Sequence, residues 1–178
     1  LFVGTAFGFV NGLLIAKLKL PPFIATLGTQ MMAGGLGSII TKVQSQTWPT
    51  ATAEIGGWFK KVFIRAELFG IKGFPVGAFW LIGFFIIAAL ILHKTKFGRY
   101  VYAIGSNEEA TRLSGINVDN WKAAVYTLSG FFVGMCGLFY AAAYTTITPG
   151  TGNGQEMNGI TGVIIGGTSM SGGSGTMV

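Results

Sequence analysis

The side chains able to carry chemistry are few. The chain holds one histidine, one cysteine and six carboxylates among 178 residues. His93 stands beside Lys94 at the end of an apolar run, and Cys136 lies inside another. Nucleophilic catalysis needs a serine or cysteine held against a base, and no local spacing provides that pair. Glu108 and Glu109 are adjacent, so on a helix they point in different directions and make a poor acid–base couple. A zinc site takes several Cys, His or acidic ligands, and none cluster along this sequence. Gly167-Thr168-Ser169-Met170-Ser171-Gly172 has the G-x-x-x-x-G spacing of a phosphate loop, but Gly173 occupies the place of the lysine that would reach the phosphates. The expectation is a chain that is not an enzyme and binds no metal or cofactor itself; if ATP drives it, another chain binds the ATP.

One polar stretch does carry a structural signal. In Ser106-Asn107-Glu108-Glu109, Ser106 reads as an N-cap and Glu109 as its capping-box partner three residues on. The acids suit the positive end of a helix, and Gly115 supplies a stop. The spacing predicts a helix of about two turns, Asn107 to Ser114, with Ala110, Leu113 and Ser114 near one face. A helix so short does not stand alone in water. It needs a partner surface, either lipid or protein.

The elements around it are apolar. Hydrophobic residues make up 51% of the chain and charged residues 10%, where a soluble domain carries about 25% charged. Mean hydropathy is +0.60. Disorder, which needs low hydrophobicity and high charge, is excluded, and a cytosolic enzyme nearly so. The 29 glycines show no G-x-y period, which excludes collagen. The class that remains is an integral membrane protein, all-α and polytopic. Uncharged runs cover Leu1–Ala16, Leu20–Thr41, Gly73–Leu92, Ala123–Gln155 and Met157–Val178, against the ~20 helical residues a bilayer core requires. That predicts four clear membrane segments, with the Ala123–Gln155 run spanning to about Ala143, and a glycine-rich fifth that either spans in part or enters and returns. The whole chain, 1–178, reads as a single transmembrane domain. It begins at Leu1 in an apolar run without a basic leader and ends at Val178 in a glycine-rich one, which predicts a fragment cut within membrane segments and no signal peptide.

Charge sets the expected orientation. Lys17, Lys19, Lys94, Lys96, Arg99, Arg112 and Lys122 fall on one side, seven against the five of Lys42, Lys60, Lys61, Arg65 and Lys72. The excess marks the 93–122 loop as cytoplasmic and the 42–72 loop as extracytoplasmic. In the latter, Trp48, Pro49, Trp58, Phe59, Lys60 and Lys61 form an aromatic and basic mixture suited to the membrane interface. The net charge of +6 is thus assigned to topology and anionic lipid, and no nucleic-acid partner is expected. Gly4, Gly8, Gly12 and Ala16 recur every four residues, as do Gly130 with Gly134 and Gly162 with Gly166; such stripes let helices approach closely in lipid. Asn11, Thr26, Gln30 and Glu156 are polar groups in or between apolar runs. They serve either interhelical hydrogen bonding or a substrate path, and Glu156, beside Gly152 and Gly154, best suits a wet cavity.

Three blocks in order resemble a known family. Glu109-Ala110-Thr111-Arg112-Leu113-Ser114-Gly115 is similar to the E-A-A-x-x-x-G motif of the permease subunits of bacterial ATP-binding-cassette importers, with Thr111 in place of the second alanine. The longer stretch from Gly98 to Ala110 with Leu113 to Val118, the block Pro22–Thr29, and Gly154-Gln155-Glu156 leading to Ile164–Gly173 resemble their ribose/galactoside/xylose branch. The resemblance implies that Glu108, Glu109, Ala110, Thr111, Arg112, Leu113, Ser114 and Gly115 form a coupling helix that docks on a cytoplasmic ATPase subunit, which carries the ATP and magnesium. It further implies a periplasmic or lipoprotein sugar-binding protein, a second permease subunit (a homodimer), and a place in the bacterial plasma membrane. A secondary transporter or channel, working without an ATPase, is the other class compatible with broken glycine-rich spans.

Overall fold

The computed structural model describes residues 1–47, 62–63, 65–68, 71–144, 146–169, 172–173 and 175. The aromatic and basic cluster at 48–61, expected at the interface, lies outside the described residues. Among the described residues the main helices run in the order α1 (Phe2–Lys17), α2 (Pro22–Ile40), α3 (Val76–Lys94), α4 (Lys96–Ser106), α5 (Glu108–Leu113), α6 (Val118–Ala143) and α7 (Gln155–Ile165). Two small antiparallel pairings join β1 (Gln46–Thr47) to β4 (Thr146–Ile147), and β2 (Arg65–Leu68) to β3 (Ile71–Pro75).

Local chemistry sets the ends. Pro22 opens α2, where its missing N–H would find no helical partner in any case. His93 and Lys94 close α3 at its negative pole. Asn117 caps α6, its Oδ1 accepting the Asn120 N–H at 3.1 Å. α2, α3 and α6, of 19, 19 and 26 residues, are long and apolar enough to cross a membrane, and α1 is a shorter apolar helix of 16. All four clear segments expected from the uncharged runs are therefore helices. α6 starts earlier than its uncharged run, at Val118, so Asp119 and Lys122 belong to its first turns. Among the described residues few side chains are buried, while Leu81, Ile82, Phe85, Ile86 and Leu90 of α3 face outward. So large an exposed apolar surface is what lipid or a protein partner covers.

The helix pair with the closest contact is α1 against α6. A Cβ on Gly8 would lie 2.5 Å from the Tyr126 carbonyl oxygen and 2.8 Å from the Gly130 Cα; one on Gly12 would lie 2.7 Å from the Ala123 Cα. The Gly4–Gly8–Gly12 stripe thus meets Gly130 and Gly134 backbone to backbone, the packing mode of small residues in membranes. The Gly162–Gly166 repeat does otherwise: among the described residues nothing stands within 4 Å of a Cβ on Gly162, and Gly166 meets only its own helix.

The two ends of the bundle can be told apart. Lys17, Thr95 and Asn120 line one groove, which gathers the C-termini of α1 and α3 with the N-terminus of α6. Here Phe97 and Tyr100 of α4 pack their rings on Trp121. The β1–β4 pairing closes the opposite end. From there Thr148, Pro149 and Gly150 face Ser38 and Thr41, then Gly150, Asn153 and Glu156 face Gly34 and Gln30, so the chain descends along α2 toward its middle. α7 follows with 11 residues, about 16 Å and too short to span. The glycine run after it reaches α4: Tyr102 Oη donates to the Gly175 carbonyl at 2.8 Å, and a Cβ on Gly173 (φ +75°) would meet the Ser106 Cα at 2.7 Å. The fifth segment therefore starts at depth, breaks after α7 and at Gly172, Gly173 and Gly175 lies against α4.

Candidate functional site

The first candidate is α5. Its N-cap is Asn107, whose Oδ1 accepts the Ala110 N–H at 3.0 Å. This corrects the expected cap by one position: α4 runs through Ser106, which is its last residue, and asparagine caps as well as serine. Gly115, at φ +85°, terminates the helix as expected, in the left-handed conformation that glycine adopts without strain. Thr111 turns inward and is buried, its Oγ1 donating to the Asn107 carbonyl at 2.8 Å. Ala110, Leu113 and Ser114 lie on the open side, together with Glu109. Leu113 is 89% exposed. Among the described residues, a leucine so placed on a one-and-a-half-turn helix has nothing to pack on.

Two ion pairs tie α5 to α6, and a third lies within α5. Lys122 Nζ donates to Glu108 Oε2 at 2.5 Å, Arg112 reaches Asp119 Oδ1 at 2.9 Å, and Arg112 also meets Glu108 Oε1 at 3.4 Å. The Lys122 hydrogen bond, with its charge and that of Arg112, holds the Glu108 carboxyl below its ordinary value. Asp119 in turn raises the Arg112 guanidinium. The Glu108–Arg112 spacing of four is legible in sequence. Glu108 and Lys122, 14 positions apart, carry no such signal. Replacing Asn107 with alanine is expected to cost α5 about 0.5–2 kcal/mol. The check is amide exchange at Ala110, which should quicken by roughly 5- to 30-fold for a loss of one to two kcal/mol; an unchanged rate would show that the cap does not hold the helix.

The second candidate is a polar cleft of about 460 Å³ between α2 and the descending 150–156 segment, lined by Gln30, Ser38, Thr151, Asn153 and Glu156 among others. Gln30 and Glu156 face this cleft from its two walls. Glu156 also sits in the first turn of α7, where backbone N–H groups favour an anion. Irregular backbone at membrane depth is tolerated where it lines a wet cavity, and residues 148–154 meet that condition beside α2.

The four polar residues singled out for a substrate path thus separate. Gln30 and Glu156 share the cleft. Asn11, on α1, faces a different side of α2, its Oδ1 accepting from Thr29 Oγ1 at 2.8 Å across the α1–α2 contact. Thr26 directs its hydroxyl to its own helix, donating to the Pro22 and Phe23 carbonyls. Sequence reading missed Thr29, which is buried; its spacing of three from Thr26 is the signal that could have found it.

Together these features define a polytopic α-helical membrane protein with a polar cleft at depth and a short exposed helix at one end. The chain belongs to the family described as branched-chain amino acid transport system / permease component, whose model matches residues 1–177. It is similar to the ribose import permease protein of Escherichia coli K12, 39% identical over 183 residues that cover 100% of this chain and 54% of the relative. The ribose import permease protein of Bacillus subtilis is 39% identical, over 94% of this chain and 50% of its own. The galactose/methyl galactoside import permease protein of Haemophilus influenzae is 33% identical, over 99% and 52%. The chain spans about half the length of these curated relatives. No solved structure matches it.

Proposed function

We propose that this chain belongs to the membrane subunit of an ATP-driven importer that carries a monosaccharide such as ribose, galactose or xylose across the bacterial plasma membrane. The observation that carries this reading is the similarity, from end to end of the chain, to import permeases named for ribose and for galactose. In this reading the α4–α5 end faces the cytoplasm, as the basic excess of the 93–122 loop favours, and the 42–72 loop faces outward, toward a sugar-binding protein. α5 docks on an ATPase subunit through Leu113 and Glu109, and a second permease subunit completes the pathway. Hydrolysis takes place on the ATPase subunit, so the permease is a transport subunit without a reaction of its own. The cleft at Gln30 and Glu156 offers carboxylate and amide groups to sugar hydroxyls.

The test is uptake of labelled ribose, galactose and xylose into vesicles holding the full-length permease with its ATPase and binding protein. Uptake that requires ATP supports the reading; uptake of the same rate without ATP overturns it in favour of a secondary transporter or channel. Within that assay, Glu156→Gln is expected to lower uptake at sub-saturating sugar by roughly tenfold, as loss of a charged hydrogen-bond acceptor does. Unchanged uptake would remove Glu156 from the path.

A further inference from the structure

We propose that Glu108 and Lys122 are positioning residues that fix the angle at which α5 stands on α6, and that this pair sets how tightly ATP hydrolysis is coupled to transport. The proposal rests on the reading of α5 as the ATPase-docking helix.

The link between the two helices is four residues, 114–117, and includes Gly115 at φ +85°. Such a link allows α5 to swivel. The ion pairs remove that freedom by crossing it at two points, Lys122 to Glu108 and Asp119 to Arg112. Both oxygens of Glu108 are occupied inside the chain, Oε2 by Lys122 and Oε1 by Arg112. Although Glu108 belongs to α5, its carboxylate is engaged within the chain, while Glu109 and Leu113 stand exposed. Partly exposed pairs add little to stability, so their value here is geometric. α6 continues into the backbone-to-backbone seam with α1. A push on α5 is thereby delivered to α6 and α1 as one body; without the pair, α5 swivels and the push is lost.

The experiment compares Lys122→Glu with the charge-exchanged double variant E108K/K122E in the full transporter, reading both ATPase association and sugar transported per ATP hydrolysed. Arg112 keeps Asp119 in both. In Lys122→Glu, association stays within about twofold while the transport-to-hydrolysis ratio falls by roughly tenfold, and the double variant recovers at least about half of it, as a direct pairwise interaction requires. A ratio unchanged in Lys122→Glu overturns the proposal, and so does a fall that the double variant does not repair. Failure of the underlying reading is seen separately: if Leu113→Glu leaves association intact, α5 is not the docking helix.

Discussion

Gly8→Leu is expected to prevent the transmembrane bundle from forming. The first added carbon alone would stand 2.5 Å from the Tyr126 carbonyl oxygen and 2.8 Å from the Gly130 Cα, and both are backbone atoms of α6 that cannot rotate away. Overpacking in a filled core costs about 1–3 kcal/mol and sometimes more, which is the range expected for Gly8→Ala. Leucine adds three further carbons to the same gap, so α1 and α6 must separate along the whole Gly4–Gly12 stripe. Packing and weak interhelical contacts, rather than water exclusion, hold helices together in lipid, so little else would restore the seam. The measurement is thermal unfolding in detergent, with the amount of protein recovered from the membrane. Gly8→Ala should unfold at a lower temperature, and Gly8→Leu should give no folded species. Gly28→Ala is the control: on α2, with nothing within 4 Å of the added carbon, it should unfold with the unsubstituted protein. A Gly8→Leu variant that unfolds at the unsubstituted temperature would mean that the seam does not exist.

That seam was visible in the sequence because period four is a property of one helix face, and Gly4, Gly8 and Gly12 satisfy it without reference to the rest of the chain. The same pattern at Gly162 and Gly166 forms no seam among the described residues, since a stripe shows where a helix could be approached and not whether a neighbour is there. The membrane segments were legible for a similar reason: a run without charge is a local fact. α5 was legible in its stop at Gly115 and in the open face of Ala110, Leu113 and Ser114, but its cap was misplaced because Ser106 and Asn107 are both good caps and only the end of α4 chooses between them. What joins distant positions was not legible. Glu108 finds Lys122, Asn11 finds Thr29, and Gln30 and Glu156 come to one cleft only after the helices have taken their places. The polar cleft is of this kind, built from about three turns of α2 and an irregular segment more than a hundred residues later.

Leu113→Glu is expected to weaken association with the ATPase subunit by about ten- to a hundredfold. Leu113 is 89% exposed on a helix held by its cap and its ion pairs. It can therefore be changed with little effect on the permease itself. Burying a leucine side chain in a partner groove contributes about 1.5–3 kcal/mol, and each 1.4 kcal/mol is a factor of about ten in affinity. Glutamate forfeits that contribution and adds the cost of removing a charge from water, so the larger factor is the better expectation where the groove is apolar. Titrating the ATPase subunit onto permease held in lipid nanodiscs measures the affinity directly, and unfolding temperature shows whether α5 is still in place. A tenfold loss at unchanged unfolding temperature assigns the contact to the Leu113 side chain. Unchanged affinity would leave the leucine without an ATPase partner, and the alternative cover for such a residue at this end of the bundle is the lipid surface. The two occupants differ in one further respect. A lipid contact would be weakened by Leu113→Glu whether or not the ATPase is present, whereas a docking contact changes only the assembled transporter.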